Sequence, residues 1–425
     1  MTISSKSGSF QTGTGAATTT VAVTGSGFTP NMILFHWVGR TEAVDAIGAA
    51  NYTQGWGFAA GAGDQRAATT TSINAGASSD GGMYINAANC IAVCDAAGAV
   101  TGLLALQSFD ADGFTLVVND AMPASITVQW WAFGGLTNVV TGMQTLAAST
   151  TGNVSVTGLA FAPDFGFFIS IPDSSAIPFS KGDRCMLGFG VALSSSAQAV
   201  IAGGQDDGSA NMDTGAYLYN AEVSAVQSVT TPTSLLDRAS FVSWNSDGYT
   251  VNVLEKDANA RRVFYMVCKG ASWGVNGITT VNDITTDIVV SGLAFAPQSG
   301  MVFSANRALS TQVTPTSDHR PTFGFFNSTS SRSALAILDE NGTANAEITT
   351  AAEFDEVYIR ISTASAIEAL MDVKSMDSGG VTFIMDDDDP TLSHAIVVTV
   401  GEAAAAAASL ILNDRAQRFQ PMIVR

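Results

Sequence analysis

Residues 109–135 read FDADGFTLVVNDAMPASITVQWWAFGG, and this stretch decides the fold because related stretches occur twice more. Residues 241–270 read FVSWNSDGYTVNVLEKDANARRVFYMVCKG, and residues 373–401 read VKSMDSGGVTFIMDDDDPTLSHAIVVTVG. Each stretch has an Asp-Gly or Gly-Gly turn between strand-length apolar runs, then a polar gap and another apolar run, which indicates β-strands. We interpret each as a β-meander of three strands.

Other landmarks repeat in the same order and at nearly the same period. The opening motif ends in GFTP, AFAP and AFAP, with Phe28, Phe161 and Phe295 separated by 133 and 134 residues. An aromatic-rich x-Gly-Phe motif, the turn glycine and the closing glycine repeat similarly, at Gly57, Gly188 and Gly324, at Gly113, Gly248 and Gly380, and at Gly135, Gly270 and Gly401. Three tandem copies of one unit follow from this spacing.

Each copy consists of short strands with turn signals between them, which favours a β-sandwich. The prediction is an all-β chain of three tandem homologous antiparallel β-sandwich domains, jelly-roll-like, at residues 1–139, 140–275 and 276–402, with a short C-terminal arm at 403–425. The apolar runs after each opening motif, such as NMILFHWVG, predict a strand covered on both faces. The one helical candidate within a copy is STASAIEALM, residues 362–371.

Composition excludes several classes of function. The chain carries 37 acidic and 18 basic residues, for a net charge of -19, which repels nucleic-acid phosphates and anionic lipids. The start MTISSKSGSF has no apolar signal region, and no run approaches the roughly 18 apolar residues of a membrane span. We therefore expect a soluble protein made in the cytoplasm, without direct nucleic-acid or membrane partners.

The C-terminal arm differs from the repeats because it is basic and apolar, with six consecutive alanines that favour a helix. It is either a docking arm for another subunit or a helix that folds back on the third copy. The residues proposed for docking are Leu410, Ile411, Leu412, Arg415, Arg418, Phe419 and Arg425.

Two acidic stretches raise the question of a metal site. Asp110 and Asp112 in DADG resemble the start of a calcium loop, but no acidic residue closes such a loop, and the hairpin needs Asp-Gly for its turn. The run Asp386 to Asp389 could gather a cation, although such runs are more often solvated loops. We interpret both as turns or loops and predict no metal or cofactor.

Catalytic motifs are missing from the sequence. His36 and His394 lie in apolar strands and are interpreted as core or interface histidines, and no nucleophile elbow, His-Glu-x-x-His or phosphate loop occurs. Cys90 and Cys94 could point to one face of a strand, but the four cysteines fit neither a zinc site nor a disulfide framework, so buried thiols are predicted. We predict a protein that is not an enzyme.

Aromatic side chains leave a second function open. Trp130 and Trp131 are adjacent on a strand, so one faces each side. Exposed tryptophans can stack on sugar rings, but packing in a core or between domains is the commoner use. We interpret the tryptophans as packing residues, with carbohydrate kept as an alternative ligand.

The repeated unit, with Gly-x-x-Phe-x-Pro, x-Gly-Phe, Asp-x-Asp-Gly-Phe-Thr and a closing aromatic-rich strand, resembles repeats of structural proteins of tailed bacteriophages. The resemblance covers residues 8–402 and is weakest in the third copy, where Ser378-Gly379-Gly380-Val381 replaces Ala-Asp-Gly-Phe. It implies a structural or adhesive part of a virion and provides no catalytic residues.

The resulting expectation is a capsid decoration or cement protein, located in the virion, whose three domains form a covalent pseudo-trimer. Its partners would be capsid or tail subunits, and a homo-oligomer remains open. Two alternatives are a tail fibre or receptor-binding adhesin that recognises surface carbohydrate, which requires exposed aromatics, and a polysaccharide-degrading enzyme, which requires a cleft with two carboxylates.

Overall fold

A computed structural model describes residues 2–183, 185–228, 234–309, 318–343 and 347–402. This part of the chain is all-β, with 32 strands in six antiparallel sheets and no helix. Because it holds no helix, it also holds none that could cross a membrane. The all-β prediction is confirmed.

The first third of the chain forms a larger sheet and a four-stranded sheet. Its strands are β1 (Ser4–Gln11), β2 (Thr20–Thr24), β3 (Met32–Trp37), β4 (Ala46–Ala49), β5 (Tyr52–Gly61), β6 (Asp64–Ser72), β7 (Gly81–Asn86), β8 (Ile91–Cys94), β9 (Val100–Asp110), β10 (Gly113–Asp120) and β11 (Thr127–Gly134). Within this third, the larger sheet has the order β1-β11-β3-β5-β6-β7 and the smaller sheet has the order β2-β10-β9-β8, whereas β4 belongs to neither.

The second third repeats this strand order. Its strands are β12 (Asn138–Leu146), β13 (Gly152–Val156), β14 (Phe165–Ile171), β15 (Phe179–Lys181), β16 (Cys185–Ser194), β17 (Ala197–Gln205), β18 (Thr214–Tyr219), β19 (Ser224–Gln227), β20 (Leu235–Asn245), β21 (Gly248–Lys256) and β22 (Arg261–Lys269). The sheets are β12-β22-β14-β16-β17-β18 and β13-β21-β20-β19.

The last third repeats it again. Its strands are β23 (Ser272–Thr279), β24 (Ile288–Val290), β25 (Ser299–Ser304), β26 (Thr322–Phe326), β27 (Arg332–Asp339), β28 (Ile348–Glu353), β29 (Tyr358–Ile361), β30 (Ile367–Asp377), β31 (Gly380–Asp387) and β32 (His394–Gly401). The sheets are β23-β32-β25-β26-β27-β28-β4, in which β4 comes from the first third, and β24-β31-β30-β29. The predicted boundaries after residues 139 and 275 fall inside β12 and β23.

Within each third, the larger and smaller sheets share a buried apolar cluster. In the first third this cluster includes Phe35 and Trp37 from the larger sheet and Phe114 and Leu116 from the smaller one. The other two thirds have corresponding clusters. The strands β3, β14 and β25 are buried along their whole length, as the apolar runs predict.

The β-meander prediction for residues 109–135 is wrong. Strands β9 and β10 pair in the smaller sheet, but β11 pairs with β1 and β3 in the larger one. The polar gap between β10 and β11 is too long for a tight hairpin. In this gap the chain passes from the smaller sheet to the larger one, and Met122 and Ile126 are buried in the core between them. The prediction fails in the same way for the other two stretches, because β22 and β32 lie in the larger sheets and β21 and β31 in the smaller ones. In the first third, consecutive strands form the meanders β5-β6-β7 and β8-β9-β10.

The helical candidate at residues 362–371 is also wrong. Residues 362–366 form a turn in which Ser362 N donates to Ala366 O at 2.8 Å, and β30 begins at Ile367. Buried and less buried residues alternate along β30. Burial of alternate side chains against the smaller sheet's core outweighs the helix propensity of Ala, Glu, Leu and Met.

Candidate functional site

The docking residues predicted in the C-terminal arm, Leu410, Ile411, Leu412, Arg415, Arg418, Phe419 and Arg425, lie outside the described residues. The described chain ends at Glu402, directly after β32. The Glu402 carboxylate accepts a hydrogen bond from Ile3 N at 3.1 Å. The last described residue therefore contacts the beginning of the chain.

The most extensive candidate interface is an apolar cluster that takes residues from the larger sheets of all three thirds. At its centre, the rings of Trp56, Phe189 and Phe323 contact one another, with centroid separations of 5.7, 5.2 and 5.4 Å. One ring comes from each third, and all three belong to the repeated x-Gly-Phe motif. The repeat therefore places aromatic side chains where the three sheets meet.

The glycine of that motif has a structural role in each third. A Cβ atom on Gly57 would lie 1.6 Å from Cys90 O, one on Gly188 2.5 Å from Ala225 O, and one on Gly324 2.0 Å from Val357 O. Only glycine lets the larger sheet come so close to the backbone of the smaller sheet. The contacts are at the start of β8, in β19 and at the start of β29. The motif thus joins the two cores: its aromatics face the shared cluster, and its glycine faces the smaller sheet.

The adjacent Trp130 and Trp131 face opposite sides of β11, as predicted. Trp130 lies in the core of the first third, with its ring 5.7 Å from Phe114. Trp131 lies in the shared cluster, where its ring is 6.0 Å from Phe167 and its Nε1 donates to Ser299 Oγ at 2.6 Å. This single strand belongs to two cores at once.

Short segments cross from one third to the next at the outer edges of the larger sheets. Strand β15 of the second third pairs with β7 of the first, and β4 of the first pairs with β28 of the third. From the third, Arg307 Nη1 donates to Ala216 O in β18 of the second at 2.5 Å. The second third thus contributes a segment to the first, the first contributes one to the third, and the third contributes one to the second. The three contacts therefore form a closed cycle.

The first strand of each third packs in the same cyclic sense. Strand β12 lies against β5 and β6, β23 against β16 and β17, and β1 against β26 and β27. Hydrogen bonds accompany the packing: Thr141 N donates to Asp64 Oδ2 at 3.0 Å, and Asn327 Nδ2 donates to Ser7 O at 2.8 Å. Two independent sets of contacts therefore connect the thirds in one order.

A buried polar group lies at one junction of the three thirds, formed by Tyr52, Cys185, His319 and Asp339. Tyr52 Oη and Cys185 Sγ are 2.8 Å apart. Burial raises the pKa of Cys185 and raises the pKa of Asp339 well above its usual range, and it lowers the pKa of His319 to about 3. At neutral pH the thiol is protonated and the imidazole neutral, so this group lacks a reactive thiolate.

The other histidines and cysteines also have structural surroundings. His36 is fully buried with Nδ1 3.2 Å from Gln129 Oε1, and burial lowers its pKa to about 3. His394 is half-buried, and burial lowers its pKa too. All four cysteines are free and buried, as predicted.

The DADG stretch is a hairpin turn, with Gly113 at a φ of 139°. Asp110 accepts hydrogen bonds from Ser108 and Thr115, and Asp112 accepts one from Gly27 N at 2.6 Å. Both carboxylates therefore support the turn and the neighbouring loop.

The solvated-loop interpretation of residues 386–389 is wrong at its last position. Asp386, Asp387 and Asp388 are exposed, but Asp389 is buried. The Asp389 carboxylate accepts hydrogen bonds from Thr280 Oγ1 at 2.6 Å and Ser393 N at 3.0 Å, and these donors lower its pKa although burial raises it. Sequence spacing gives no signal for this, because Thr280 and a further donor, Tyr358 Oη at 3.2 Å, lie far from Asp389 in sequence.

All six tryptophans are described, and none is exposed: five are buried, and Trp244 is half-buried with its Nε1 donating to Leu193 O at 2.9 Å. The large apolar side chains exposed in the described part are aliphatic: Val44, Met143, Val242, Leu254, Ile284, Val289 and Leu392. The packing interpretation of the tryptophans is confirmed.

Comparison with known proteins adds no relative: no protein-family model matches the chain, and none of the curated proteins does.

Proposed function

We propose that this chain is a non-enzymatic structural protein of a bacteriophage virion, and specifically a capsid decoration or cement protein. In this proposal, each third of the chain is one β-sandwich domain, and the three domains form a covalent pseudo-trimer. The resemblance of the repeats to structural proteins of tailed bacteriophages supports the class of protein. The cyclic contacts between the thirds support the arrangement.

The observation that carries the proposal is the meeting of Trp56, Phe189 and Phe323, one from each third, in a single apolar cluster. An interface made of core-like apolar residues is typical of obligate assemblies. Three equivalent units arranged in a cycle match a local threefold position on a particle surface, where three neighbouring subunits present the same contacts.

Surface composition fits the same role. The acidic chain opposes binding to nucleic acid, which agrees with a position on the outside of a particle. Extensive burial without disulfides provides stability through packing alone.

Electron cryo-microscopy of particles that contain this chain tests the proposal. We expect one compact copy at each occupied local threefold position of the capsid. Three domains strung along a tail fibre would contradict it and would favour the adhesin alternative, for which specific binding on a glycan array is the positive result.

A further inference from the structure

A lysine and an aspartate of the second third are buried against each other in its smaller sheet. Asp237 in β20 and Lys256 in β21 are direct cross-strand partners, so their side chains lie on the same face of the sheet. Lys256 Nζ lies 2.7 Å from Asp237 Oδ2, and both side chains are fully buried. An amine and a carboxyl group are thus held in contact where water does not reach them.

This contact lacks the hydrogen bonds that a stable ion pair needs. Among the described residues, neither Lys256 Nζ nor either carboxylate oxygen of Asp237 has a hydrogen-bond partner of ordinary geometry, and all three atoms are buried. A buried ion pair offsets the loss of hydration only when its geometry is good and further hydrogen bonds satisfy the remaining donors and acceptors. Burial raises the pKa of Asp237 despite the nearby Lys256, so folding shifts this side chain toward its protonated carboxyl form.

The repeated fold does not itself require charges at this place. In the first third, Gly102 lies as far before the turn glycine Gly113 as Asp237 lies before Gly248. A Cβ atom on Gly102 would lie 2.4 Å from Met122 Sδ, so an apolar side chain fills the corresponding space there. Packing of the sandwich therefore does not explain the charged pair of the second third.

We propose that Lys256 and Asp237 condense with each other to form an intramolecular amide bond, an isopeptide, between Nζ and Cγ. The neutral amine of Lys256 attacks Cγ of the protonated Asp237 carboxyl group, so that a C–N bond forms. A C–O bond then breaks, and the hydroxyl group leaves as water with a proton from Nζ. Overall, one ammonium and one carboxylate give one amide and one water molecule, so the reaction needs no oxidant and no cofactor. The product carries no charge, which removes both buried charges from the sheet.

The geometry and the neighbouring groups suit this reaction. Because Cγ is one bond of about 1.2 Å from Oδ2, Lys256 Nζ is at most about 3.9 Å from the carbon that it attacks, close to the productive range of about 3–3.5 Å. A further carboxylate oxygen, Asp257 Oδ1, lies 3.9 Å from Nζ. Burial raises the pKa of Asp257, but hydrogen bonds with Asn259 and the charge of Arg261 lower it overall. The ionised Asp257 can therefore accept the lysine proton and return it to the leaving hydroxyl group.

The bond would close the open end of a β-hairpin. Strands β20 and β21 are joined by the turn between Asn245 and Gly248, and Asp237 pairs with Lys256 at the opposite end. A covalent link between these ends restricts the unfolded chain, as a disulfide does, whereas all four cysteines of this chain are free. The inference goes beyond the proposed function, because it holds or fails whatever particle the chain belongs to.

Mass spectrometry of the denatured full chain tests the bond. We expect a mass that is lower by one water molecule than the mass calculated from the sequence. A tryptic digest should contain a branched peptide that joins residue 237 to residue 256 and is not cleaved after Lys256. Lys256→Met and Asp237→Ala each remove one reacting group, so both variants should have their full calculated masses.

The exposed pair of Lys374 and Asp287 is the matched control within the same chain. Lys374 Nζ lies 2.6 Å from Asp287 Oδ1, but these side chains are 47% and 42% exposed, so their peptides should be recovered unlinked. The full calculated mass in the wild-type chain would overturn the proposal, and this measurement does not depend on whether the variants fold. Loss of water that persists in Lys256→Met, or that maps to the Asp-Gly turns at residues 112–113 and 247–248, would also overturn it.

Discussion

At the scale of single residues, the contact of Trp56 with Phe189 and Phe323 explains how three similar units become one body. Each ring is almost fully buried, and each is held on a strand that is itself fixed by a neighbouring glycine. Aromatic pairs at these separations add to the apolar area that they bury. The stability of the whole chain therefore depends on a few side chains that lie far apart in sequence.

Replacing Phe189 with alanine should lower the free energy of unfolding by about 3–5 kcal/mol, because the cavity borders all three larger sheets and none can close it alone. Val289→Ala, at a side chain that is 57% exposed, is the matched control and should change stability by less than about 0.5 kcal/mol. Denaturant unfolding measures both. A similar small loss in the two variants would contradict the role of the aromatic contact.

Asp339 predicts a pH dependence of stability. Burial raises its pKa far above the value in the unfolded chain, so between these two pKa values the folded state binds more protons. The contribution of Asp339 to stability should therefore fall as pH rises above about 4. Asp339→Asn stays neutral and should reduce this slope, which thermal unfolding at several pH values measures. An unchanged slope would show that another group causes the dependence.

The structural surroundings of many of these residues can be predicted from the sequence, but not those of all of them. The turn glycine Gly113, the buried His36 and the opposite orientations of Trp130 and Trp131 follow from local pattern, because turn type and strand alternation are local properties. Buried Asp389 and the junction of Tyr52, Cys185 and Asp339 could not be predicted. Their partners are far away in sequence, and no period connects them.

At the scale of elements, the short strands β4 and β15 matter most. They belong to loop-rich segments of Gly, Ala and Ser, where no strand pattern is visible, so the sequence gives no signal for them. Each is only a few residues long and is stabilised by pairing with an existing sheet edge. They also cover edges of the larger sheets, which protects those edges from pairing with other chains.

Gly48→Pro should release β4 from β28. Ala50 N donates to Ile348 O, and alternate amides of an antiparallel strand point the same way, so the amide of Gly48 also faces β28. Proline removes this donor. Hydrogen exchange should become faster at Thr350 and Ala352, whose amides face β4 by the same alternation, and should stay unchanged in β7.

Ser180→Pro is the complementary variant. Ser180 lies in β15, so proline at this position should make hydrogen exchange faster in β7 and leave it unchanged in β28. If either substitution altered both edges equally, the two crossing strands would not be independent elements.

At the scale of the whole molecule, the fold class and the threefold repetition are predictable, because strand patterns and landmark glycines repeat at a constant period. The assignment of strands to two sheets was not predictable in full. The chain leaves the smaller sheet after β10 and enters the larger one. In the sequence, only the apolar residues on both faces of β11 distinguish this crossing from a third strand of a meander. The cyclic order of the thirds depends on contacts between copies, on which a repeat period carries no information.

The middle third, expressed alone as residues 136–271, should not remain a soluble monomer. Its larger sheet would expose Phe165, Phe167, Phe189 and Met266, which lie in the shared cluster of the full chain. An exposed apolar face of this kind promotes association. Light scattering should detect trimers or aggregates. A stable monomer would contradict the shared core.

Small-angle X-ray scattering of the full chain tests the central claim most directly, namely that the three thirds close around one core. A compact body of this length should give a radius of gyration of about 22 Å. Three separate domains in a linear array should give a value above about 30 Å by the same scaling. We predict the compact value for a monomeric chain, and the larger value would contradict the account.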